Sequence, residues 1–347
     1  MATDRARERC RERVESLTRR PADPFELRFR IIELLRPVVG FERWCWPMCD
    51  PGSELGTTGI GEHDYWSALP RLLLLDQRPQ EPNALPSLPG PRALGPRPGG
   101  LRFLDVLGPV GIGDELRVPL RDRHGLWGCL DLMRSSDERP FSETDREFLD
   151  ELAPTLCAAT RRSAAALAAA PAHEAEPIPP AGVLVVDSDL TVRASTPGAR
   201  AWLARMVPPS VPFADIAASA VAFNVASRVL AGAGVRAARA RVRTFAGAWA
   251  VVEADRLDPM EGTVAVTIRP AAARDVLDLR LLAYDLTDRE REVATIVLEG
   301  SDIRAISERL VVSPHTVNDH LKSIYAKVGT RTRKELVATL AAPGAAG

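Results

Sequence analysis

Hydrophobic and polar residues follow two different periods along this chain. Near the C-terminus, hydrophobic residues recur every three or four positions, which is the period of an amphipathic helix. Residues 115–133 and 182–268 instead contain short alternating or continuous hydrophobic runs separated by turn residues, as strands do. These patterns predict a multidomain α+β protein in which two mixed helix-and-strand units precede an all-α unit.

The C-terminal segment, residues 286–340, has the layout of short helices around a tight turn. Thr287 and Glu290 can form a capping box at the start of the first helix. Ser313 followed by Pro314 predicts the start of a later helix, because proline costs least at the first helical position. The buried stripe of that helix is predicted to consist of Val317, Leu321, Ile324 and Val328. Helices around such a turn are typical of a helix-turn-helix DNA reader.

The order Leu-Thr-x-Arg-Glu-x-Glu-Val opens this segment at Leu286. Further fixed positions follow it: Gly300, Ser313, Thr316-Val317, His320, Ile324, Lys327, Gly329, Arg331, Arg333 and Glu335-Leu336. Together they resemble the LuxR-type DNA-binding domain, and the resemblance covers about a sixth of the chain. It implies a four-helix domain, predicted at residues 285–341, whose third helix enters the major groove of double-stranded DNA.

The polar side of that third helix supplies the candidate DNA contacts. The resemblance implies that Asn318, Asp319 and Lys322 read the bases. The predicted contacts to the DNA backbone are Ser313, His315, Thr316, Lys327 and Arg331. The family often has a basic residue at the position of Asn318 and a neutral one at that of Asp319. Asparagine can bridge adenine and aspartate can accept from cytosine; alternatively, Asn318 is solvated and Asp319 only repels phosphate.

Charge supports DNA binding only through its distribution. The formal net charge is −1, and residues 286–340 contain nine basic and eight acidic residues. The three lysines of the protein, Lys322, Lys327 and Lys334, all lie in this segment. Because so few charges can neutralise phosphates, a single domain is expected to bind weakly, and a homodimer on two half-sites is predicted.

The alternating residues 115–120 and the run 126–133 flank the turn 122–125 and predict a β-hairpin. A capped helix is predicted after it, starting near Phe141-Ser142-Glu143-Thr144-Asp145. This order resembles the closing half of a GAF domain, predicted at residues 23–165. The resemblance implies an antiparallel sheet that senses a small-molecule ligand or a partner; a pocketless domain used for dimer contacts is the alternative.

Residues 181–272 contain a strand pair, helical stretches and three further strands. The predicted strands are 182–186, 190–192, 240–245, 248–254 and 262–268, and the predicted helices are 199–206 and 220–230. This order resembles a PAS-type domain, again with an antiparallel sheet. Trp202, Phe223 and Trp249 either line a pocket there or belong to the core.

The remaining segments are predicted to connect or flank these domains. Residues 1–22 are predicted to be a helical arm with Val14 and Leu17 as a thin apolar seam, either a surface or dimer-flanking helix or simply a solvated arm. A helix over residues 25–39 is expected to bury Phe25, Phe29, Ile32 and Leu35 or their neighbours. Residues 76–100, rich in proline, glycine and arginine, are predicted to be a flexible loop or lid. Residues 166–180 are predicted to be a linker, 273–284 a short connector and 342–347 a flexible tail.

The five cysteines are odd in number and scattered, which fits a reducing compartment rather than a disulfide framework. Cys45 and Cys49, in an irregular stretch, either bind a metal or sense redox state, or are half-buried thiols in a strand. His63 is expected to lie in a surface loop. No apolar run has membrane-spanning length, so a soluble, cytoplasmic protein without a membrane partner is predicted.

Known catalytic motifs are missing from the sequence. It has no Gly-x-x-x-x-Gly-Lys-Ser/Thr loop, no nucleophile elbow and no His-Glu-x-x-His helix. The chain is therefore predicted not to be an enzyme, and no cofactor or metal is predicted. The function predicted is sequence-specific transcriptional regulation by a one-component protein. A protein-interaction scaffold whose helix-turn-helix domain does not bind DNA is the competing hypothesis.

Overall fold

The computed structural model describes residues 3–19, 24–62, 65–78, 80–93, 100–169, 177–207, 214–232, 238–245, 247–257 and 262–341. Within them the helices are α1 Asp4–Thr18, α2 Pro24–Val39, α3 Leu69–Asp76, α4 Glu143–Ala169, α5 Pro197–Leu203, α6 Ala214–Leu230, α7 Ala273–Ala283, α8 Asp288–Leu298, α9 Ile303–Leu310, α10 Pro314–Val328 and α11 Arg333–Ala341. The strands are β1 Arg43–Asp50, β2 Leu55–Glu62, β3 Arg92–Ala93, β4 Ile112–Asp122, β5 Gly125–Ser135, β6 Gly182–Val186, β7 Val192–Ser195, β8 Arg239–Arg243, β9 Trp249–Arg256 and β10 Val264–Pro270.

The first sheet has the strand order β2-β1-β5-β4-β3 and its paired strands are antiparallel. Its β4–β5 hairpin lies where the alternating residues predicted it, and Asp122 pairs with Gly125 across the turn. Gly125 has a φ of +126°, and a Cβ there would lie 2.3 Å from the carbonyl oxygen of Pro51. Only glycine fits this turn, so the hairpin can pack against the loop that follows β1.

The prediction of a solvated N-terminal arm is wrong. Helix α1 packs on α2 and α4, and it buries Cys10 and Val14 in the same core as the first sheet. Arg7 of α1, also buried, donates to Asp145 at the start of α4 over 3.0 Å. In α2, Phe29 is 43% exposed and contacts the ring of Trp44 edge-on, and the nearby Leu27 and Ile31 are buried instead.

Two segments that were predicted to be irregular have defined structure. Residues 43–50 form β1, a central strand, in which Cys49 is buried and Cys45 half-buried. This agrees with the predicted alternative of half-buried thiols in a strand. Burial raises the pKa of both thiols. Residues 80–93 contain a short turn of helix and β3 and bury Leu85 and Leu88, with Leu85 packed on strand residues of the sheet, which fits the predicted lid rather than the flexible loop. His63 and residues 94–99 lie outside the described residues.

The second sheet has the order β7-β6-β10-β9-β8, which repeats the order of the first sheet strand for strand. Its strands and helices lie close to the predicted positions, but β7 starts at Val192 because Leu190 adopts a φ of +65° in the preceding turn. The aromatic residues that were predicted either to line a pocket or to belong to the core are buried in hydrophobic clusters; they are Trp202, Phe223 and Trp249. This agrees with the second alternative. The assignment of residues 181–272 as PAS-like stays a prediction.

The two sheet domains form a continuous contact. Helix α6 of the second domain packs on β2 and α3 of the first. Arg241 on β8 donates to both carboxylate oxygens of Asp50 at the end of β1, over 2.6 and 2.8 Å. Arg228 on α6 donates to Gln77 and to the carbonyl of Ser53. Helix α6 therefore acts as a cover on the outer face of the first domain.

The predicted connector, residues 273–284, is the helix α7. Its residues Val276 and Leu279 are buried in the core of the first domain, whereas Leu281 belongs to the core of the C-terminal domain. Buried Arg280 donates to the carbonyl of Leu340 at the end of α11 over 2.8 Å. Helix α7 is therefore a shared structural element rather than a flexible tether.

Across the described ranges, no helix combines the length and the apolar character needed to cross a lipid bilayer.

Candidate nucleic-acid interface

The C-terminal domain consists of α8 to α11 around one hydrophobic core. The predicted capping box is present at the start of α8, where Thr287 and Glu290 exchange hydrogen bonds. The predicted stripe of α10 lies in the core, and its members are Val317, Leu321, Ile324 and Val328. Because these residues bury one side of α10, the opposite side is left on the surface.

Helix α10 starts as predicted at Ser313 and Pro314. The Ser313 hydroxyl oxygen accepts from the backbone N–H of Thr316 over 3.1 Å and lies 2.9 Å from the Thr316 hydroxyl. The first turn of α10 is thereby held by side chains, and both hydroxyl groups point out at the helix start, where a phosphate is favoured by the free N–H groups. These two residues were predicted to contact the DNA backbone.

Four polar side chains of α10 form an exposed surface, which we call the reading face: His315, Asn318, Asp319 and Lys322. The Asp319 carboxylate lies 3.5 Å from His315 Nε2 and 3.4 Å from Lys322 Nζ. The Asn318 side-chain amide donates to the carbonyl of Pro314 over 3.0 Å. Exposed ion pairs of this kind contribute little energy, so a base or phosphate can replace them. The reading face is open to a groove-sized partner.

The basic residues flanking the reading face have different environments. The Arg331 side chain is exposed, and its backbone N–H donates to Glu335 over 2.7 Å. Lys327, in contrast, donates to Glu290 over 2.7 Å and to the carbonyl of Asp285 over 3.1 Å. The ammonium group of Lys327 therefore holds the domain together, and its predicted contact with the DNA backbone stays a prediction.

Glu290 is a structural residue of this site whose wider role was not predicted. It accepts from the Ser323 hydroxyl over 2.5 Å in addition to Lys327 and the backbone N–H of Thr287. Burial alone would raise its pKa, but the hydrogen bonds from Lys327, Ser323 and Thr287 outweigh burial and lower the pKa to about 2. The spacing of residues 323 and 327, four apart on one helix, is the signal that places both on the side of α10 facing α8.

Comparison with known proteins identifies two of the domains. Residues 285–340 match the model of the luxR family of bacterial regulatory proteins, and residues 26–159 match the GAF domain. The C-terminal domain is thus a LuxR-type helix-turn-helix domain, and the first sheet domain is a GAF domain.

Curated relatives share only a short stretch with this chain. An HTH-type transcriptional regulator of Mycobacterium tuberculosis is 48% identical over 52 residues, which is 15% of this chain and 6% of that protein. The monoamine regulon transcriptional regulator of Klebsiella aerogenes is 40% identical over 60 residues, 17% of this chain and 26% of that protein. The chain thus spans about a quarter or less of the length of these relatives.

Several of the solved structures similar to this chain are GAF domains. The phycoerythrobilin-bound GAF domain of a cyanobacterial phytochrome is 16% identical, with a TM-score of 0.35 over 44% of this chain and 92% of that one. The GAF domain of a phosphoenolpyruvate-protein phosphotransferase from Coxiella burnetii is 13% identical, with a TM-score of 0.32 over 44% of this chain and 90% of that one.

Proposed function

We propose that this protein is a cytoplasmic, non-enzymatic, one-component transcriptional regulator that binds double-stranded DNA as a homodimer. The observation that carries the proposal is the reading face, which stands open on the third helix of a LuxR-type domain. In this proposal Asn318 and Lys322 read base edges, whereas Thr316, His315 and Arg331 position the helix on phosphates. In the free protein, an ion pair with Asp319 orients the Lys322 side chain along α10. In the complex, the Lys322 ammonium group donates to a base instead.

Dimerisation follows from the low charge of the reading domain. One domain with nine basic and eight acidic residues neutralises few phosphates, so two domains on two half-sites are needed for tight binding. The GAF domain receives the signal as a small-molecule ligand, and α7 transmits it because the helix is shared between the sensor core and the reader core. The signal then shifts the population of dimer geometries that can span two half-sites.

Binding to a library of randomised DNA duplexes tests the proposal. The parent protein is compared with Asn318→Ala, Lys322→Ala and, as a control, Arg30→Ala, which removes an exposed positive charge on α2. Asn318→Ala is expected to relax base preference at one position per half-site, with a loss of about 1–3 kcal/mol of discrimination. Lys322→Ala is expected to weaken binding and to make it less dependent on salt. The control is expected to bind as the parent does.

If both α10 variants keep the base preference and affinity of the parent, the reading face does not contact DNA. Failure of the parent to bind any duplex at low salt would instead favour the interaction scaffold, for which the near-neutral charge of the domain is the best support. Native mass spectrometry of the purified protein measures the dimer directly, and a monomer at micromolar concentration would contradict that part of the proposal.

A further inference from the structure

A cavity lies between the first sheet and α3, on the side of the GAF domain that faces α6. Its volume is about 80 Å³, about half that of an engineered cavity that holds benzene. The floor is formed by β1, β2, β4 and β5, and the opening is covered by Ala220 and Asn224 of α6, which belongs to the second sheet domain. The cavity is therefore built by two domains of the chain.

One side of the cavity is hydrophobic and aromatic. Tyr65 and Trp66 line it together with Leu69, Leu72 and Leu73. Both aromatic residues are buried, with exposures of 3% and 5%. Aromatic faces attract cations electrostatically, and they do so most strongly where water is excluded.

The other side is lined by Asp76, Arg102, Arg117 and Asp131, which together with Glu115 behind Arg102 form what we call the acid–arginine cluster. Arg102 donates to Glu115 over 2.8 and 2.9 Å and to Asp76 over 3.2 Å. Arg117 donates to Asp131 over 3.0 Å and to Asp76 over 2.7 and 3.4 Å. Each guanidinium nitrogen of both arginines thus already donates to a carboxylate.

The charge of this cluster does not balance. Three carboxylates face two guanidinium groups and all five side chains are buried, so the cluster itself carries one net negative charge. Burial would raise the pKa of Asp76, but Arg102 and Arg117 outweigh burial and lower it, so this carboxylate is ionised. An uncompensated buried charge is costly, and a bound cation would offset it.

Two side chains that line the cavity have acceptor oxygens available to a ligand. Asp131 accepts through Oδ1 from Arg117 and from the Cys129 thiol, whereas its Oδ2 accepts nothing from the described part of the chain. Asn224 donates one of its two side-chain N–H groups to the carbonyl of Ala220, and its Oδ1 can accept from a ligand. Asp131 is 4% exposed and Asn224 8%, and both line the cavity. A ligand with N–H donors therefore matches Asp131 Oδ2 and Asn224 Oδ1.

We infer that this cavity binds a small organic cation, a protonated amine with a short hydrophobic body. The ammonium group lies against Asp131 and the acid–arginine cluster, and the body packs on Tyr65, Trp66 and the leucines. The inference rests on the proposed sensor role of the GAF domain and names its ligand class. Because Asn224 lies on α6, the ligand joins the two sheet domains, so its binding changes how firmly α6 is held on β2.

Isothermal titration of the full chain with propylamine hydrochloride tests this inference. The matched compounds are 1-propanol, which has the same number of heavy atoms without the charge, and sodium acetate, which has the opposite charge. Ionic strength is kept constant with sodium chloride. Saturable binding of propylamine alone is the expected result, accompanied by a rise in the thermal unfolding midpoint.

Variants place the binding in the cavity. Asp131→Asn removes the negative charge and is expected to weaken propylamine binding about tenfold or more. Ala220→Leu fills the opening without touching the acid–arginine cluster and is expected to abolish binding. Ala231→Leu makes the same change at an exposed position just beyond α6 and is expected to bind as the parent does. If Asp131→Asn does not fold because Arg117 loses its bond to residue 131, the propylamine binding of Ala220→Leu tests the inference.

Three results would overturn the inference: no saturable binding of propylamine, equal binding of 1-propanol or acetate, or undiminished binding by Ala220→Leu. DNA binding is measured separately and without amine. A protein that binds DNA but no amine refutes only the ligand class, and a protein that binds amine but no DNA refutes only the proposed regulator.

Discussion

At the scale of single residues, Glu290 links the start of α8 to α10. Its carboxylate accepts hydrogen bonds from Thr287 on one side and from Ser323 and Lys327 on the other. The side chain is 6% exposed, so water screens these interactions little. The orientation of the reading face relative to the rest of the domain therefore depends on this carboxylate being ionised.

Glu290 makes the C-terminal domain sensitive to acid. Its pKa is about 2 in the folded chain against an ordinary value of 4.5, so ionised Glu290 contributes about 3 kcal/mol at neutral pH. Because the folded pKa is the lower one, this stability is complete above about pH 5 and is lost as the pH falls towards 2. Glu290→Gln is expected to lower the opening free energy of α8 and α10 amides by about 2 kcal/mol at pH 7.

Hydrogen exchange of these amides in the full chain, at pH 7, 5 and 3, measures the effect. The control is Glu292→Gln, which removes an exposed carboxylate of α8 that pairs with Arg289 one turn before it. The parent and the control are expected to lose protection towards pH 3 more steeply than Glu290→Gln does. Equal acid sensitivity in all three proteins would show that another group controls it.

At the scale of structural elements, the turn between α9 and α10 determines the relative orientation of these two helices. Val311 ends α9 with a φ of +54°, a left-handed conformation that β-branched residues rarely adopt. Its side chain is 90% exposed, so no packing offsets the strain. Val312 beside it packs on the hydrophobic core of the domain. The turn is thus formed by tertiary packing against the local preference of its residues.

Val311→Gly is expected to stabilise this turn by about 1 kcal/mol, because glycine adopts the left-handed region without strain. The expected readout is slower hydrogen exchange in α9 and the first turn of α10. Val192→Gly is the control, since Val192 is also exposed but lies in strand β7, where glycine destabilises. Faster exchange in Val311→Gly would mean that the valine side chain makes a stabilising contact that the folded monomer does not reveal.

At the scale of the whole molecule, Asp285 ties the LuxR-type domain to the GAF domain. Its carboxylate contacts Arg123 over 2.5 Å and His124 over 3.0 Å in the β4–β5 turn, and Arg161 of α4 over 3.4 Å. Burial would raise the pKa of Asp285, but the hydrogen bond with His124 and the charges of Arg161 and Arg123 lower it. Together with α7, these contacts of Asp285 hold the LuxR-type domain on the GAF domain.

Asp285→Asn removes the charge but keeps a residue that tolerates the φ of +59° found at this position. Because the carboxylate is 44% exposed, the loss is expected to be below about 1 kcal/mol. Hydrogen exchange is expected to become about two- to fivefold faster in the β4–β5 turn and at the start of α8. The same change should follow from added salt in the parent protein, because salt screens these exposed charges.

Asp288→Asn is the matched control, since Asp288 is exposed at the start of α8 and pairs only locally with Arg291. It is expected to leave exchange in the β4–β5 turn unchanged. Unchanged exchange in Asp285→Asn would mean that α7 alone couples the two domains.

Local patterns in the sequence determined many of the helices and strands of this protein. The capping box at Thr287, the Ser313–Pro314 helix start and the stripe through Val317 and Leu321 depend on interactions between near neighbours in the chain, so they predicted α8 and α10. The β4–β5 hairpin was predicted for the same reason. The reading face then followed as the side of α10 that the stripe leaves exposed.

Only the tertiary structure decided which residues meet across long separations. The packing of α1 on the sheet, the cover that α6 provides over the GAF cavity, and the bond between Lys327 and Glu290 join residues with no local signature. A charged residue such as Asp131 or Lys327 has the same sequence appearance whether it is solvated or buried. Whether such a residue can be buried depends on the hydrogen bonds and ion pairs that offset the cost of removing its charge from water. The partners that supply them lie far away in the chain.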